Sequence, residues 1–477
     1  MKPRVRIVAA AGLLLAAAAA AFVGWRASRT AARVHAALPA MPELTNAAPA
    51  LRERLDAAEA RARSTFGARK GLAALSRLYH ANGRLGEAQQ CYEALERLEP
   101  AEPRWPHLRA TILAGFGQAT DAAALWERTL ALAPDYVPAR LRLGDVQFKS
   151  NQPAAATATY QEVLKRSPDE PYALLGLARL DLEAGRWDDA RRRLEAVVAK
   201  TNYTLGYDLI VSLYERIGLN DRATFIRAAA KASGAYRDPA DPWADELLAE
   251  CYDPYRLALA AGTIARDGKP NEAKALLVRA VAIAPDDVSA RFQLGLLSME
   301  QGDFETARAQ FERCTELAPD FADGWARLSE LHGRRGDPAR ADRVLETGLA
   351  RCPQSPGLHL MRARRMRDTG RTGQAITAFQ DSIRLRPNEP EAYLELGAFL
   401  IKLGREAEAL RLFRGALEAE PGNPPALGVL AFSSISSGQE AEAQRLMTMI
   451  REQPRMPRPQ VEQLRAAFRQ RFGRPAW

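Results

Sequence analysis

Paired histidines, closely spaced cysteines and a glycine-rich phosphate loop are all missing from this chain, and each absence removes a class of chemistry. The five histidines (His35, His80, His107, His332 and His359) include no two at the three-to-five-residue spacing of metal ligands. The four cysteines (Cys91, Cys251, Cys314 and Cys352) are scattered, which excludes a zinc knuckle, a thiol-redox pair and a haem-attachment motif. They read as small core residues, with a Cys314–Cys352 disulfide open to the chain in an oxidising compartment. No nucleophile elbow or zinc-protease motif occurs either. The expectation is a protein that is not an enzyme, with no metal, no cofactor and no small-molecule substrate.

Charge excludes a further class. The net charge of +9 looks like a nucleic-acid signal until it is mapped along the chain. Residues 1–70 hold 12 Lys or Arg against 4 Asp or Glu, and residues 451–477 hold 7 against 2. These ends carry +8 and +5, so the 380 residues between them carry −4. A basic start and a basic tail flank a slightly acidic body, the reverse of a basic groove built to follow phosphates, and no nucleic-acid partner is expected.

What is present begins with an export signature. Met1-Lys2-Pro3-Arg4-Val5-Arg6 precedes an apolar run from Ile7 to Trp25. Its length approaches the roughly 20 residues that span a bilayer, although nine of them are Ala. Residues 1–25 are read as a transmembrane anchor or signal peptide, an uncleaved anchor being favoured. The solenoid described below is then expected on the periplasmic side of the cytoplasmic membrane in a single-pass protein, or else secreted to the periplasm.

Glycine then supplies the period. Gly83, Gly117, Gly185, Gly218, Gly268, Gly302, Gly336, Gly370, Gly404 and Gly438 each stand five residues before an alanine, from Ala88 to Ala443. Asn151 with Ala156 fills the one gap, Asn being the next residue best able to turn left-handed. Successive spacings are 34 or 33 residues except for one of 50. A bulky residue follows four positions after most of these alanines, and Pro100, Pro134, Pro168, Pro285, Pro319, Pro353, Pro387 and Pro421 close the units. The clearest copy runs Tyr393-Leu394-Glu395-Leu396-Gly397, then Gly404, Ala409, Phe413, Ala416 and Pro421.

These residues resemble the tetratricopeptide repeat, a family whose 34-residue unit is an antiparallel helix pair. The resemblance covers about residues 69–455 in eleven copies. It implies an all-α fold, a right-handed superhelical solenoid of helical hairpins, in two halves around an insert.

The layout read from the pattern is a 26–50 linker, a capping helix in 51–68 and repeats 1–5 over 69–231, the fifth degenerate. An insert or joint occupies 232–256, because a spacing of 50 exceeds 34 by 16 residues. Repeats 6–11 fill 257–455, and a C-terminal cap and basic tail fill 456–477. Caps are needed because end repeats expose an apolar face.

No stretch left over is long enough for a catalytic domain, so function falls to surface. In the family the first helix of each unit lines the inner face. The register places Phe148, Arg179, Phe292, Met299, Arg364, Arg367, Leu394 and Ile401 there as candidate partner-binding residues. Arg362, Arg364, Arg365 and Arg367 load one such helix with guanidinium groups that either grip an acidic segment or pair with Asp368, Glu391 and Glu395. The insert adds Trp243, Tyr252 and Tyr255. The Lys and Asn carboxylate clamp of chaperone-binding members is not recognisable.

The expected function is a protein–protein interaction scaffold of the bacterial cell envelope that holds a partner peptide or helix. The layout is similar to membrane-anchored repeat proteins of cytochrome maturation, envelope biogenesis or polymer secretion. The alternative is an envelope module that binds a glycan, a polysaccharide or peptidoglycan strand, although aromatic residues are only 7% of the chain.

Overall fold

A computed structural model describes residues 3–43, 48–201, 203–230, 239–452 and 456–477, with side chains from Leu15 onward and not at 228–230. Asn202 and the first part of the insert, residues 231–238, lie outside the described residues. Every regular element among the described residues is helical.

Eleven helical hairpins follow one another. Repeats 1 to 3 pair Ala68–Ala81 with Leu85–Leu98, Arg104–Gly115 with Ala119–Leu132, and Val137–Lys149 with Pro153–Arg166. Repeats 4 and 5 pair Pro171–Glu183 with Trp187–Lys200 and Thr204–Arg216 with Asn220–Ala230. After the insert come Pro254–Arg266 with Pro270–Ile283 and Val288–Glu300 with Phe304–Leu317. Repeats 8 and 9 pair Ala322–Arg334 with Pro338–Arg351 and Pro356–Asp368 with Thr372–Leu385. Repeats 10 and 11 pair Pro390–Lys402 with Glu406–Ala419 and Pro424–Ser436 with Glu440–Glu452.

The periodic residues do the work their spacing implies. All ten turn glycines have φ between 71° and 79°, and Asn151, at 55°, is the one non-glycine with positive φ among the described residues. The eleven alanines are at most 2% exposed. Their missing side-chain bulk lets the second helix of each hairpin lie close to the first. Tyr92, Trp126, Tyr160, Phe311, Phe379 and Phe413, four residues on, fill the space between hairpins. Asp and Ser side chains start several helices, Asp303 accepting from Thr306 N, Asp337 from Arg340 N and Ser355 from Leu358 N. All four cysteines are free and buried, so no disulfide links Cys314 to Cys352.

The chain forms two compact units, Met1–Ala290 and Arg291–Trp477, dividing inside repeat 7 and not at the insert. The physical reason lies in the first unit. Leu247 and Cys251 of the insert, and Leu257 and Ala280 of repeat 6, share a buried cluster with Leu72, Leu75 and Tyr79 of repeat 1. The insert thereby ties repeat 6 to repeat 1. At its start, the helix Pro3–Ala37 runs without a break into this unit and buries Ala31 and Val34 in the same cluster. The helix Pro49–Arg63 packs beside it through Leu51, Leu55, Ala58 and Ala62. In the second unit the helix Arg458–Phe472 buries Leu464 and Phe468 against repeats 10 and 11. Among the described residues no helix is long and apolar enough to cross a membrane. Eight of the nineteen residues of the Ile7–Trp25 run, 7–14, have no described side chains.

Candidate partner-binding grooves

In the second unit, the arginine-rich first helix of repeat 9 is fully engaged with its neighbours. Arg364 donates from Nε to Glu395 at 3.0 Å and from Nη2 to Glu391 at 2.5 Å. Arg367 donates to Asp368 at 2.9 Å and to Glu395 at 3.1 Å. Arg365 reaches Asp342 at 2.8 Å, and Arg362 stands 3.7 Å from Asp381 and 3.8 Å from Glu346. The hydrogen bonds that Arg364 donates to Glu395 raise its pKa further. The four guanidinium groups stitch adjacent repeats together. Leu394 is half-buried against the repeat 10 core, and Met299, 5% exposed, packs beside Phe311 and Leu328. Phe292 is half-buried and meets Phe321 edge-on at 5.0 Å.

Ile401 has a different setting. It opens onto a cavity of about 850 Å³ between repeats 10 and 11 and the C-terminal helix. Leu410, Pro425, Val429, Phe432 and Leu464 supply most of the wall, with Gln460 and Gln463 at one edge. Phe432 is 60% exposed and Ile401 43%. The groove is of ligand-binding size, largely apolar and open.

In the first unit, Phe148 is covered by Arg179, whose guanidinium lies 4.0 Å from the ring centre and 3.8 Å from Asp145. Burial raises the Asp145 pKa against the hydrogen bond from Tyr160, which donates at 2.7 Å. Beside them the face made by the first helices of repeats 1–3 is not empty, because the insert lies across it. The Asp241 carboxylate, 2% exposed, accepts from His107 Nε2 at 2.8 Å and from the Tyr136 hydroxyl at 2.6 Å. Arg142 stands 3.5 Å away, at ion-pair range. Burial works to raise the Asp241 pKa, but the hydrogen bonds and charges of His107, Tyr136 and Arg142 outweigh it and hold the group down at about 2. Trp243 stacks on Tyr136 with ring centres 3.5 Å apart and meets His107 edge-on at 5.5 Å.

Further along, Asn82 reads the insert's main chain twice. Its Nδ2 donates to the Glu250 carbonyl at 2.8 Å and its Oδ1 accepts from Tyr252 N at 2.6 Å. Arg279 donates to the carbonyls of Leu248 and Ala249, and its guanidinium stands 5.6 Å from the Tyr252 ring. Tyr255 is 74% exposed.

Of the insert aromatics singled out in the sequence, two are therefore taken up in docking and one is free to meet solvent. The residues that receive the insert, Asn82, Tyr136, Arg142 and Arg279, were not legible as site residues. Each sits at an ordinary repeat position, and only the fold brings residue 241 to residue 107. The one signal that could have drawn attention to Asp241 is its place before Pro242, as a helix N-cap, and it does accept from Ala244 N. Among the described residues no cluster of His, Cys, Asp or Glu could hold a metal ion.

Repeated hairpins with glycine turns, buried alanines and grooves lined by first helices define a helical-repeat binding fold. Sequence models described as tetratricopeptide repeat match residues 70–102, 107–171, 147–202, 265–326, 298–364, 360–424 and 404–468, and the chain belongs to that family. Among curated proteins it is similar to cellulose synthase operon protein C of Xanthomonas axonopodis pv. citri, 25% identical over 312 residues, 62% of this chain and 19% of that protein. It is also similar to mouse tetratricopeptide repeat protein 21A, 22% identical over 333 residues, 64% of this chain and 25% of that protein. The chain thus spans a quarter or less of the length of these relatives. Among solved structures it is similar to yeast Tom70, with a TM-score of 0.39, 14% identity and coverage of 84% of this chain and 96% of that one.

Proposed function

We propose that this protein is an adaptor of the bacterial cell envelope that binds a partner protein through the apolar groove of repeats 10 and 11. The observation that carries the reading is the open cavity walled by Ile401, Val429, Phe432 and Leu464. An amphipathic helix or apolar peptide fits such a groove, its apolar side chains replacing water against Phe432. Phe432 and Ile401, 60% and 43% exposed, stand together on this groove as an apolar patch open to a partner. Support for an envelope setting comes from the basic start and apolar Ile7–Trp25 run, and from relatives named for a cellulose synthase operon. On this reading the chain sits at the cytoplasmic membrane with its repeats on the periplasmic side, serving an assembly that makes or exports a polymer. The glycan-binding alternative has less to rest on, since Trp243 and Tyr252 face other side chains of the chain itself.

Proximity labelling from the full chain in its own membrane tests this, with Ile401→Asp and Phe432→Asp together as the comparison. A defined envelope protein labelled by the wild type and lost in the variant is the expected outcome. Labelling of the same bulk neighbours by both would remove the proposal. Reversal of Arg364 and Arg367 is the poorer probe, because it breaks pairs with Glu391 and Glu395 that join repeats 9 and 10.

A further inference from the structure

The insert occupies the first-helix face of repeats 1–3 in the way a bound peptide does. It presents a buried carboxylate to two hydrogen-bond donors and to Arg142 at ion-pair range, a ring to stack on Tyr136 and main-chain groups to Asn82. Yet it leaves buried polar atoms unserved. His107 Nδ1 has no hydrogen-bond partner among the described residues, and Arg142 Nε makes only the 3.5 Å ion-pair contact with Asp241. A buried group left in this state costs about 1–3 kcal/mol. Immediately beside the insert runs a second cavity of about 810 Å³. Leu248, Tyr255, Leu259 and Ile264 line it together with Arg142 and Arg256. Tyr255 and Leu259 are exposed at its mouth.

We propose that this face is a second partner site, which recognises a segment with an acidic residue followed closely by an aromatic one, and that the chain's own Asp241-Pro242-Trp243 holds it until such a segment arrives. The site differs from the groove of repeats 10 and 11, and the two stand or fall separately. The cavity beside the insert gives an incoming segment apolar footing on Tyr255 and Leu259 before any native contact breaks. Its acidic residue then takes the place of Asp241 between His107, Tyr136 and Arg142, and its ring takes the place of Trp243 on Tyr136. Charge sets the choice at the carboxylate itself, where His107 and Arg142 surround Asp241. The cavity carries Arg142 and Arg256 together with Asp245, Asp253 and Asp267, and so leaves selection of the acidic residue to the His107–Tyr136–Arg142 seat. Asn82 adds affinity without sequence preference, since it reads only main chain.

The test uses the full chain and a labelled synthetic peptide of residues 239–250. In a variant carrying Asp241→Asn and Trp243→Ala the chain's own segment is weakened, and the peptide is expected to bind at least tenfold more tightly than to the wild type. A peptide bearing the same two changes is expected to bind neither protein. Equal, weak binding to both proteins, with helical circular dichroism retained, would overturn the proposal and leave the insert a permanent clasp.

Hydrogen exchange on the wild type needs no folded variant. Residues 240–250 are expected to exchange at least tenfold faster than the buried helix at Leu72–Tyr79, and equal protection counts against exchangeability. Sedimentation covers the remaining occupant. A wild-type dimer abolished by the double substitution would assign the insert to a second copy of the chain and overturn the partner reading.

Discussion

At the scale of single residues, the hairpins depend on where a side chain is missing. A Cβ added to Gly295 in repeat 7 would lie 2.5 Å from Phe311 Cε1, and Phe311 is wholly buried. The ring cannot retreat, so Gly295→Ala is expected to destabilise the second unit by about 1–3 kcal/mol in chemical denaturation. Gly357, at the start of the repeat 9 first helix, has nothing within 4 Å of the same added atom. Gly357→Ala is expected to be neutral or stabilising by up to about 1 kcal/mol.

Asp241 makes a prediction of another kind at the same scale. Its folded pKa of about 2 lies below the ordinary 3.8, so the ionised form is favoured in the folded state. The stability it contributes is complete above pH 3.8 and is lost as pH falls towards 2, amounting to about 2 kcal/mol. Trp243 fluorescence followed from pH 6 down to pH 2 is expected to report release of the insert only below about pH 4 in the wild type. In Asp241→Asn that acid step is expected to vanish.

At the scale of elements, the hairpins were legible and the docking was not. Ten glycines and Asn151 in register, each with a buried alanine five residues later, place every turn and every second helix, because both features are local and repeat. Ile401, Leu394 and the arginines of repeat 9 could be put on first helices by register alone. Whether such a residue faces a cavity, a core or a carboxylate depends on the neighbouring hairpin. Arg364 and Met299 are engaged by their neighbours, whereas Ile401 opens onto a groove. The insert was legible as extra length, 16 residues beyond the period, while its path back across repeats 1–3 rests on contacts between positions more than a hundred residues apart. The groove of repeats 10 and 11 yields the prediction for this scale. Phe432→Asp removes an exposed ring, so its melting temperature is expected to stay close to that of the wild type. Affinity for the captured partner is expected to fall at least tenfold, the size typical of losing a central apolar anchor. A melting temperature that drops together with binding would assign Phe432 to packing instead.

At the scale of the whole molecule, the N-terminal segment and the first unit are mechanically continuous. One helix runs from Pro3 to Ala37, and its last turns bury Ala31 and Val34 among Leu72, Leu75 and Tyr79. His35 Nε2 also stands 3.0 Å from the Arg63 carbonyl, and Gln90 donates to the Ala37 carbonyl at 3.3 Å. If the apolar run anchors the chain, that helix therefore fixes repeat 1 close to the bilayer rather than leaving it on a slack tether. Two shortened chains separate anchoring from packing. On the proposed anchoring, the full chain is expected to stay in the membrane fraction through an alkaline wash, and a chain beginning at Arg26, which keeps Ala31 and Val34, is expected to leave it with its unfolding transition unchanged. A chain beginning at Leu38 loses both buried side chains, and is expected to be less stable in its first unit by roughly 2 kcal/mol, the value of burying such aliphatic groups. If the chain beginning at Arg26 stays in the membrane fraction, another surface holds the protein there and the role given to residues 1–25 fails. If the chain beginning at Leu38 unfolds like the full one, the docking of Ala31 and Val34 contributes nothing, and the continuity of the helix has no mechanical meaning.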